Sequence, residues 1–134
     1  MFEFELQPRL SETDGLGHIN NTVLPAWFEE ARRELFRIFN ADESLAAWNL
    51  ILKKYEIELH GQIRHDAPVR IETAVAGVGT TSLVVVQEAF QAGLPVASAN
   101  TVLVHFDYAG QQPAPIPPEI RSQLEEHLRA KAEP

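Results

Sequence analysis

One segment of this chain has the apolar spacing of a long helix. In nearly every other patterned segment apolar and polar residues alternate, as they do in a strand. Over residues 22–39 apolar side chains recur every three or four positions, which predicts one amphipathic helix roughly 27 Å long at 1.5 Å per residue. Elsewhere apolar and polar residues alternate, as in half-buried strands. These strand patterns cover residues 2–6, 55–59, 69–75 and 96–106, and a continuous apolar run covers 83–86.

Short turns separate the later strand patterns and indicate the fold class. Gly77, Gly79 and Gly93 mark turns, and residues 109–118 form a loop rich in Pro and Gly before a short terminal helix. Consecutive strands joined by short turns predict an antiparallel sheet. The broad apolar face of the long helix must pack on that sheet. The predicted fold class is therefore α+β, in the order β-α-β-β-β-β with a short C-terminal helix.

Composition excludes several kinds of partner and site. The net charge of −8 argues against nucleic acid or an anionic membrane as a partner, because both need a basic protein face. No run approaches the roughly 18 apolar residues of a membrane span, and the start does not resemble a signal peptide, so we expect a cytoplasmic protein. The absence of cysteine excludes disulfides and thiolate chemistry. The length fits one domain over residues 1–134.

A polar loop leads into the predicted helix. Residues 11–21 include Ser, Thr, Asp, two Gly and two Asn, a composition typical of loops. Asn20 or Asn21 is a natural N-cap, and Pro25 falls in or just after the first turn, where its missing N–H costs least. The loop therefore places the carboxylate of Asp14 beside free amides at a helix start, which suits chemistry on a carbonyl compound.

The loop and the order of elements together resemble a known enzyme family. Asp14, Gly17 and Ile19 match an Asp-x-x-Gly-x-(Ile/Val) pattern, and GHINN followed by WFEEAR resembles a branch with a His-x-Asn-Asn loop. The family is that of the hotdog-fold acyl-CoA thioesterases of the 4-hydroxybenzoyl-CoA type, and the resemblance spans nearly the whole chain. It implies a hotdog fold, in which an antiparallel sheet wraps around one long central helix. Many members of the family carry His or Tyr at the position of Asn21. The side-chain role of that residue therefore does not apply to this chain, and only a backbone role is expected for Asn21.

The resemblance implies hydrolysis of an acyl-CoA thioester to a free acid and coenzyme A, without a cofactor. Asp14 would attack the carbonyl carbon or act as general base on water, and the backbone amide of Asn21 would stabilise the oxyanion. His18 either orients the loop or the substrate carbonyl, or is a structural histidine bonded to a neighbouring carbonyl. Gly17, which permits close approach, and Asn20, which braces the loop, are the expected substrate-binding positions.

Other interpretations of the same residues remain open. Taken alone, Asp14 could simply close an Asx turn onto the amide of Gly17. The helix glutamates could supply the carboxylate instead, although they are expected to form a solvated face paired with arginines; these residues are Glu29, Glu30, Glu34, Arg32, Arg33 and Arg37. The alternative functions are an acyl carrier protein thioesterase and a non-catalytic acyl-CoA-binding module.

Partners follow from the same resemblance. The family docks sheets edge to edge, so a homodimer or homotetramer is expected. The phosphates of coenzyme A need local positive charge, for which the candidates are Lys53, Lys54, Arg64 and Arg70. His60 and His65 lack a matching carboxylate cluster, so no metal site is predicted.

Overall fold

One curled antiparallel sheet and three helices make up the part of the chain that the computed structural model describes, residues 1–129. The strands are β1 (Phe2–Leu6), β2 (Leu50–Leu59), β3 (Val69–Val78), β4 (Ser82–Gln91), β5 (Leu94–Asp107) and β6 (Gln112–Pro113). The helices are α1 (Leu24–Ala31), α2 (Arg33–Phe39) and α3 (Pro118–Glu125). Short 3₁₀ helices lie at Leu10–Glu12, Asn21–Val23 and Leu45–Ala47.

The sheet follows the order β1-β3-β4-β5-β2, with the short β6 paired to the end of β5. All these pairings are antiparallel, so the predicted hotdog α+β fold with its C-terminal helix is confirmed. Strand β3 continues past a bulge between Val75 and Gly77 to Val78, so of the two glycines predicted to mark a turn only Gly79 lies in it, whereas Gly77 belongs to the strand. In the described residues no helix is long and apolar enough to cross a membrane.

The predicted single helix is interrupted at Arg32. The amide of Arg32 donates to the oxygen of Glu29 at 3.0 Å, which tightens the last turn of α1 before α2 begins. Buried side chains of the sheet satisfy carbonyl groups at this break. Gln87 Nε2 donates to the oxygen of Phe28 at 2.9 Å, and Thr73 Oγ1 donates to that of Ala31 at 3.3 Å. These polar partners lie far away in the sequence, so the helical spacing alone does not reveal the break.

The prediction that Arg32 lies on the solvated helix face is wrong. The residue is only 4% exposed, and its Nη1 donates to Oε1 of Gln87 at 3.2 Å. Arg33 and Arg37 do lie on the exposed face, where each pairs with the glutamate three residues before it. The break in the helix therefore separates one arginine from its neighbours and places it in the interior.

The apolar faces of the helices pack against the inner face of the sheet in two clusters. One cluster includes Leu24, Trp27 and Phe28 of α1, so the two aromatic residues belong to the core. The other joins Leu35 of α2 with Leu124 of α3. Together they fix the start of α1, and the loop before it, against the sheet.

Candidate active site

The loop before α1 folds back on itself, so that its two ends lie side by side. The amide of Asp14 donates to the oxygen of His18 at 2.8 Å. Between them Gly15 and Gly17 have φ values of +90° and +87°, a conformation that favours glycine. The turn therefore brings the carboxylate at its start close to the residues that lead into the helix.

Asp14 is exposed and retains a free oxygen. Its Oδ1 accepts a hydrogen bond from the amide of Leu16 at 2.9 Å, so an Asx turn does form, but onto Leu16 and not onto Gly17. The other carboxylate oxygen accepts no hydrogen bond from residues 1–129. Asp14 thus braces the turn with one oxygen and leaves the second for other chemistry.

Asn20, not Asn21, caps the helical segment. Its Oδ1 accepts hydrogen bonds from the amide and the hydroxyl of Thr22, at 3.0 and 2.9 Å. The amide of Val23 donates to the oxygen of Asn20 at 3.1 Å. The amide of Asn21 has no acceptor among the described residues, and so it remains a free donor at the start of the helical segment.

One cavity of about 400 Å³ brings four of the five predicted site residues together, namely Asp14, His18, Asn20 and Asn21. Ile19, Leu24 of α1, Leu59 of β2 and residues 61–63 complete its lining. Gly17 lies in the turn but does not line the cavity. None of the helix glutamates lines it either; Glu30 and Glu34 instead pair with arginines on the exposed face.

His18 is held by its backbone. Besides accepting from Asp14, it forms an isolated antiparallel bridge with Arg64, and its imidazole makes no hydrogen bond within the described part of the chain. The interpretation in which the ring binds a neighbouring carbonyl therefore gains no support. His18 lines the cavity with an imidazole that remains unbonded among the described residues.

Glu12 positions the loop, and the sequence analysis missed it. Its Oε1 accepts from the amide of Arg9 at 2.7 Å, and its Oε2 accepts from the indole Nε1 of Trp27 at 2.9 Å. Its backbone oxygen accepts from the amide of Asn20 at 2.8 Å. These bonds fasten the loop to α1, but Trp27 lies 15 residues from Glu12, so no local pattern reveals the pair.

Among the four candidate cations, Arg64 does not itself line the cavity, but it follows the lining residues 61–63 and is bridged through its backbone to His18. Its Nε lies 3.4 Å from Asp66 on the exposed surface. Arg70 lies on β3, where its hydrogen bond with Glu72 raises the pKa of the guanidinium. The lysines, Lys53 and Lys54, lie on the exposed edge strand β2.

Comparison with known proteins identifies the family. A family model described as the thioesterase-like superfamily matches residues 8–124. The chain belongs to this superfamily. The match confirms the broad resemblance seen in the sequence, whereas the 4-hydroxybenzoyl-CoA type and the His-x-Asn-Asn branch stay predictions.

Solved structures of similar proteins share this fold over most of their length. A predicted thioesterase from Bacillus stearothermophilus has 37% identity and a TM-score of 0.95, with 98% of each chain covered. A thioesterase from Thermus thermophilus, solved with coenzyme A and zinc, has 27% identity and a TM-score of 0.83, covering 92% of this chain and 91% of that one. A hypothetical protein from Staphylococcus aureus in complex with CoA has 8% identity and a TM-score of 0.85, covering 99% of this chain and 89% of that one, which shows the fold alone.

Proposed function

We propose that this protein is an acyl-CoA thioesterase, which hydrolyses its substrate to a free acid and coenzyme A. The proposal rests on one observation: a carboxylate with a free oxygen, on Asp14, and a free backbone amide, on Asn21, line the same cavity in a member of the thioesterase-like superfamily. Thioester hydrolysis needs an activated nucleophile and a donor for the developing oxyanion. These two groups supply both requirements.

Two routes fit this pair of groups. In the nucleophilic route Asp14 bonds to the carbonyl carbon, the carbon–sulfur bond breaks, and the thiolate of coenzyme A leaves and takes up a proton; water then hydrolyses the acyl–aspartyl anhydride. In the general-base route Asp14 takes a proton from a water molecule whose oxygen attacks the same carbon. The carbon–sulfur bond then breaks, and the thiolate of coenzyme A takes up that proton and leaves. In either route the amide of Asn21 donates to the oxyanion, and the partial positive charge at a helix start adds to its effect. His18, whose imidazole makes no hydrogen bond within residues 1–129, orients the substrate carbonyl.

Coenzyme A is the proposed carrier for two reasons. A similar thioesterase from Thermus thermophilus was solved with coenzyme A. Arg64 provides positive charge at the border of the cavity, where the phosphates of the carrier would lie. The net charge of −8 disfavours an acidic acyl carrier protein, because repulsion acts over the whole docking surface.

Asp14→Asn tests the proposal, with Asp107→Asn as the matched control. Both aspartates close turns through Oδ1, Asp14 onto Leu16 and Asp107 onto Ala109 and Gly110, but Asp107 is not among the residues that line the cavity. An asparagine keeps an Asx turn and removes the charge. Turnover of the best acyl-CoA, followed by thiol release, should fall about 10²-fold or more in Asp14→Asn and stay at the wild-type level in Asp107→Asn.

Two results would contradict the proposal. Turnover of Asp14→Asn close to the wild-type rate would exclude Asp14 as the catalyst. Wild-type protein that binds acyl-CoA without releasing thiol would instead identify a binding module on the same fold. Circular dichroism and the melting temperature of both variants check that neither change acts by unfolding the chain.

A further inference from the structure

A second cavity, of about 160 Å³, lies in the groove between the helices and the edge strand β2. Its walls combine apolar groups, among them Phe28 and Ile57, with the polar side chains of Arg32, Thr101 and Tyr55. The first cavity occupies the same groove, since it contacts Leu24 of α1 and Leu59 of β2, while the second contacts Pro25 and Ile57. The groove therefore leads from Asp14 towards Arg32.

Arg32 is a buried cation that has no carboxylate partner among residues 1–129. It is 4% exposed, its Nη1 donates to Gln87, and its Nε has no acceptor within residues 1–129. Burial lowers the pKa of Arg32, and the charge of Glu29, an exposed residue on the cavity wall, acts in the opposite direction without forming an ion pair. A buried charge is costly unless it is paired, so this guanidinium calls for an anion.

Thr101, on the opposite wall of this cavity, also has a buried polar group without a hydrogen-bond partner among residues 1–129. The residue is 1% exposed, and its Oγ1 has no hydrogen-bond partner in the part of the chain that the structure describes. Tyr55 is directly paired with Thr101 across β2 and β5, and its hydroxyl is also unbonded among those residues. Within residues 1–129, three donors thus border one cavity without an acceptor. Tyr55 is half exposed, but Arg32 and Thr101 are buried, and buried polar groups are nearly always satisfied.

The break in the helix does not account for the charge of Arg32. The carbonyl groups of Phe28 and Ala31 are satisfied by Gln87 and Thr73, not by the guanidinium. Gln87 is itself fixed by its bonds to Phe28 and to Thr73 at 2.9 and 3.0 Å. A neutral side chain at position 32 would leave these bonds in place.

We propose that Arg32, with Thr101 and Tyr55, binds a carboxylate at the far end of the acyl group. This proposal rests on the proposed thioesterase function and names its substrate class: coenzyme A thioesters of dicarboxylic acids. The thioester lies at Asp14, the methylene chain runs along Phe28 and Ile57, and the free carboxylate meets the guanidinium. A planar guanidinium fork suits a planar carboxylate, which accepts two parallel hydrogen bonds.

Matched pairs of acyl-CoA substrates test this assignment. The two members of a pair have the same number of acyl carbons and end in either a methyl or a carboxylate group. We expect the wild type to prefer the carboxylate member by about tenfold or more in kcat/KM at the best chain length, the scale of one charge-assisted hydrogen bond. Arg32→Met should abolish or reverse that ratio. Arg33→Met, the same change on the exposed face, should keep the wild-type ratio.

Thr101→Val provides a second variant, because it is nearly isosteric and breaks no hydrogen bond within residues 1–129. It should reduce the carboxylate preference several-fold even if Arg32→Met fails to fold. Binding is measured separately by calorimetry with S-alkyl coenzyme A thioethers, which cannot be hydrolysed and which end in the same two groups. The wild type should bind the carboxylate thioether more tightly.

The outcomes separate this proposal from the proposed function. Equal kcat/KM values and equal dissociation constants for the two members, or no binding of either thioether, would overturn the anion site; such a result would point to a carboxylate of a second copy of the chain as the partner of Arg32. If the protein binds the carboxylate thioether more tightly but releases no thiol from acyl-CoA, the anion site is supported. Only the proposed thioesterase function is then contradicted.

Discussion

Asn21 is proposed to act through its backbone amide and not through its side chain. A substitution that removes the amide hydrogen therefore tests its role. Asn21→Pro removes the amide hydrogen together with the side chain, and the preceding residue tolerates it, since Asn20 has φ −65° and ψ 128°, values compatible with a following proline. Proline is also well accommodated at the first position of a helix. The cap formed by the Asn20 side chain onto Thr22 remains.

We expect Asn21→Pro to lose roughly 10²- to 10³-fold in kcat relative to Asn21→Ala, the usual effect of removing one oxyanion donor. The alanine variant keeps the amide and serves as the reference. Steady-state kinetics on one acyl-CoA measure the kcat of both variants. Similar kcat values in two equally stable variants would show that another donor meets the oxyanion.

Single residues also show where sequence analysis stops. Asp14, Asn20 and Asn21 lie within eight consecutive positions, so local patterns bring them together and predict the cap correctly. Glu12 and Arg32 act through partners 15 and 55 residues away, which no spacing rule anticipates. Sequence patterns therefore predict a polar contact only when its two partners lie close together in the sequence.

At the scale of elements, the second half of the helical segment is anchored by one carboxylate beyond its end. Glu43 accepts hydrogen bonds from Arg33 Nη2 at 2.9 Å and from Arg37 Nε at 2.5 Å. These two bonds lower the pKa of Glu43 from 4.5 to about 2. Because the folded pKa is depressed, the ionised form stabilises the fold, and that contribution is lost as the pH falls from about 4.5 towards about 2.

We therefore expect the melting temperature of the wild type to fall more steeply between pH 4.5 and pH 2 than that of Glu43→Gln. The difference should be small, because both arginines are exposed and Glu43 is partly exposed, so water screens these pairs. Glu58→Gln on β2 is the control and should follow the wild-type profile. Thermal unfolding at a series of pH values measures this, and parallel curves for wild type and Glu43→Gln would refute it.

The elements were predictable to different degrees for a physical reason. Alternation and turn glycines predict β3 and β5 well, since period 2 follows directly from one buried face, whereas the apolar run at 83–86 indicates only part of β4. The two-residue strand β6 has no such period, and the break at Arg32 depends on Gln87 and Thr73 across the core. Elements are thus predicted by their own pattern, whereas their irregularities depend on what they pack against.

At the scale of the whole molecule, β2 is an edge strand that carries part of both cavities. It pairs with β5 on one side only within residues 1–129, and it exposes Leu52, Tyr55 and Leu59 by 44%, 49% and 53%. A ten-residue edge with exposed apolar side chains invites pairing with another strand. A second copy of the chain, docked edge to edge, would cover this surface and both cavity mouths.

We therefore expect a homodimer, or a tetramer built from it, at micromolar concentration in sedimentation velocity. Leu52→Glu should shift the protein towards the monomer, because it places a charge in the centre of an apolar contact. Leu10→Glu changes an equally apolar residue that is 73% exposed and lies outside β2, so it should leave the assembly intact. Since β2 lines the groove from Asp14 to Arg32, a monomeric Leu52→Glu protein should also lose turnover. A wild-type monomer with full activity would show instead that one chain suffices for the site.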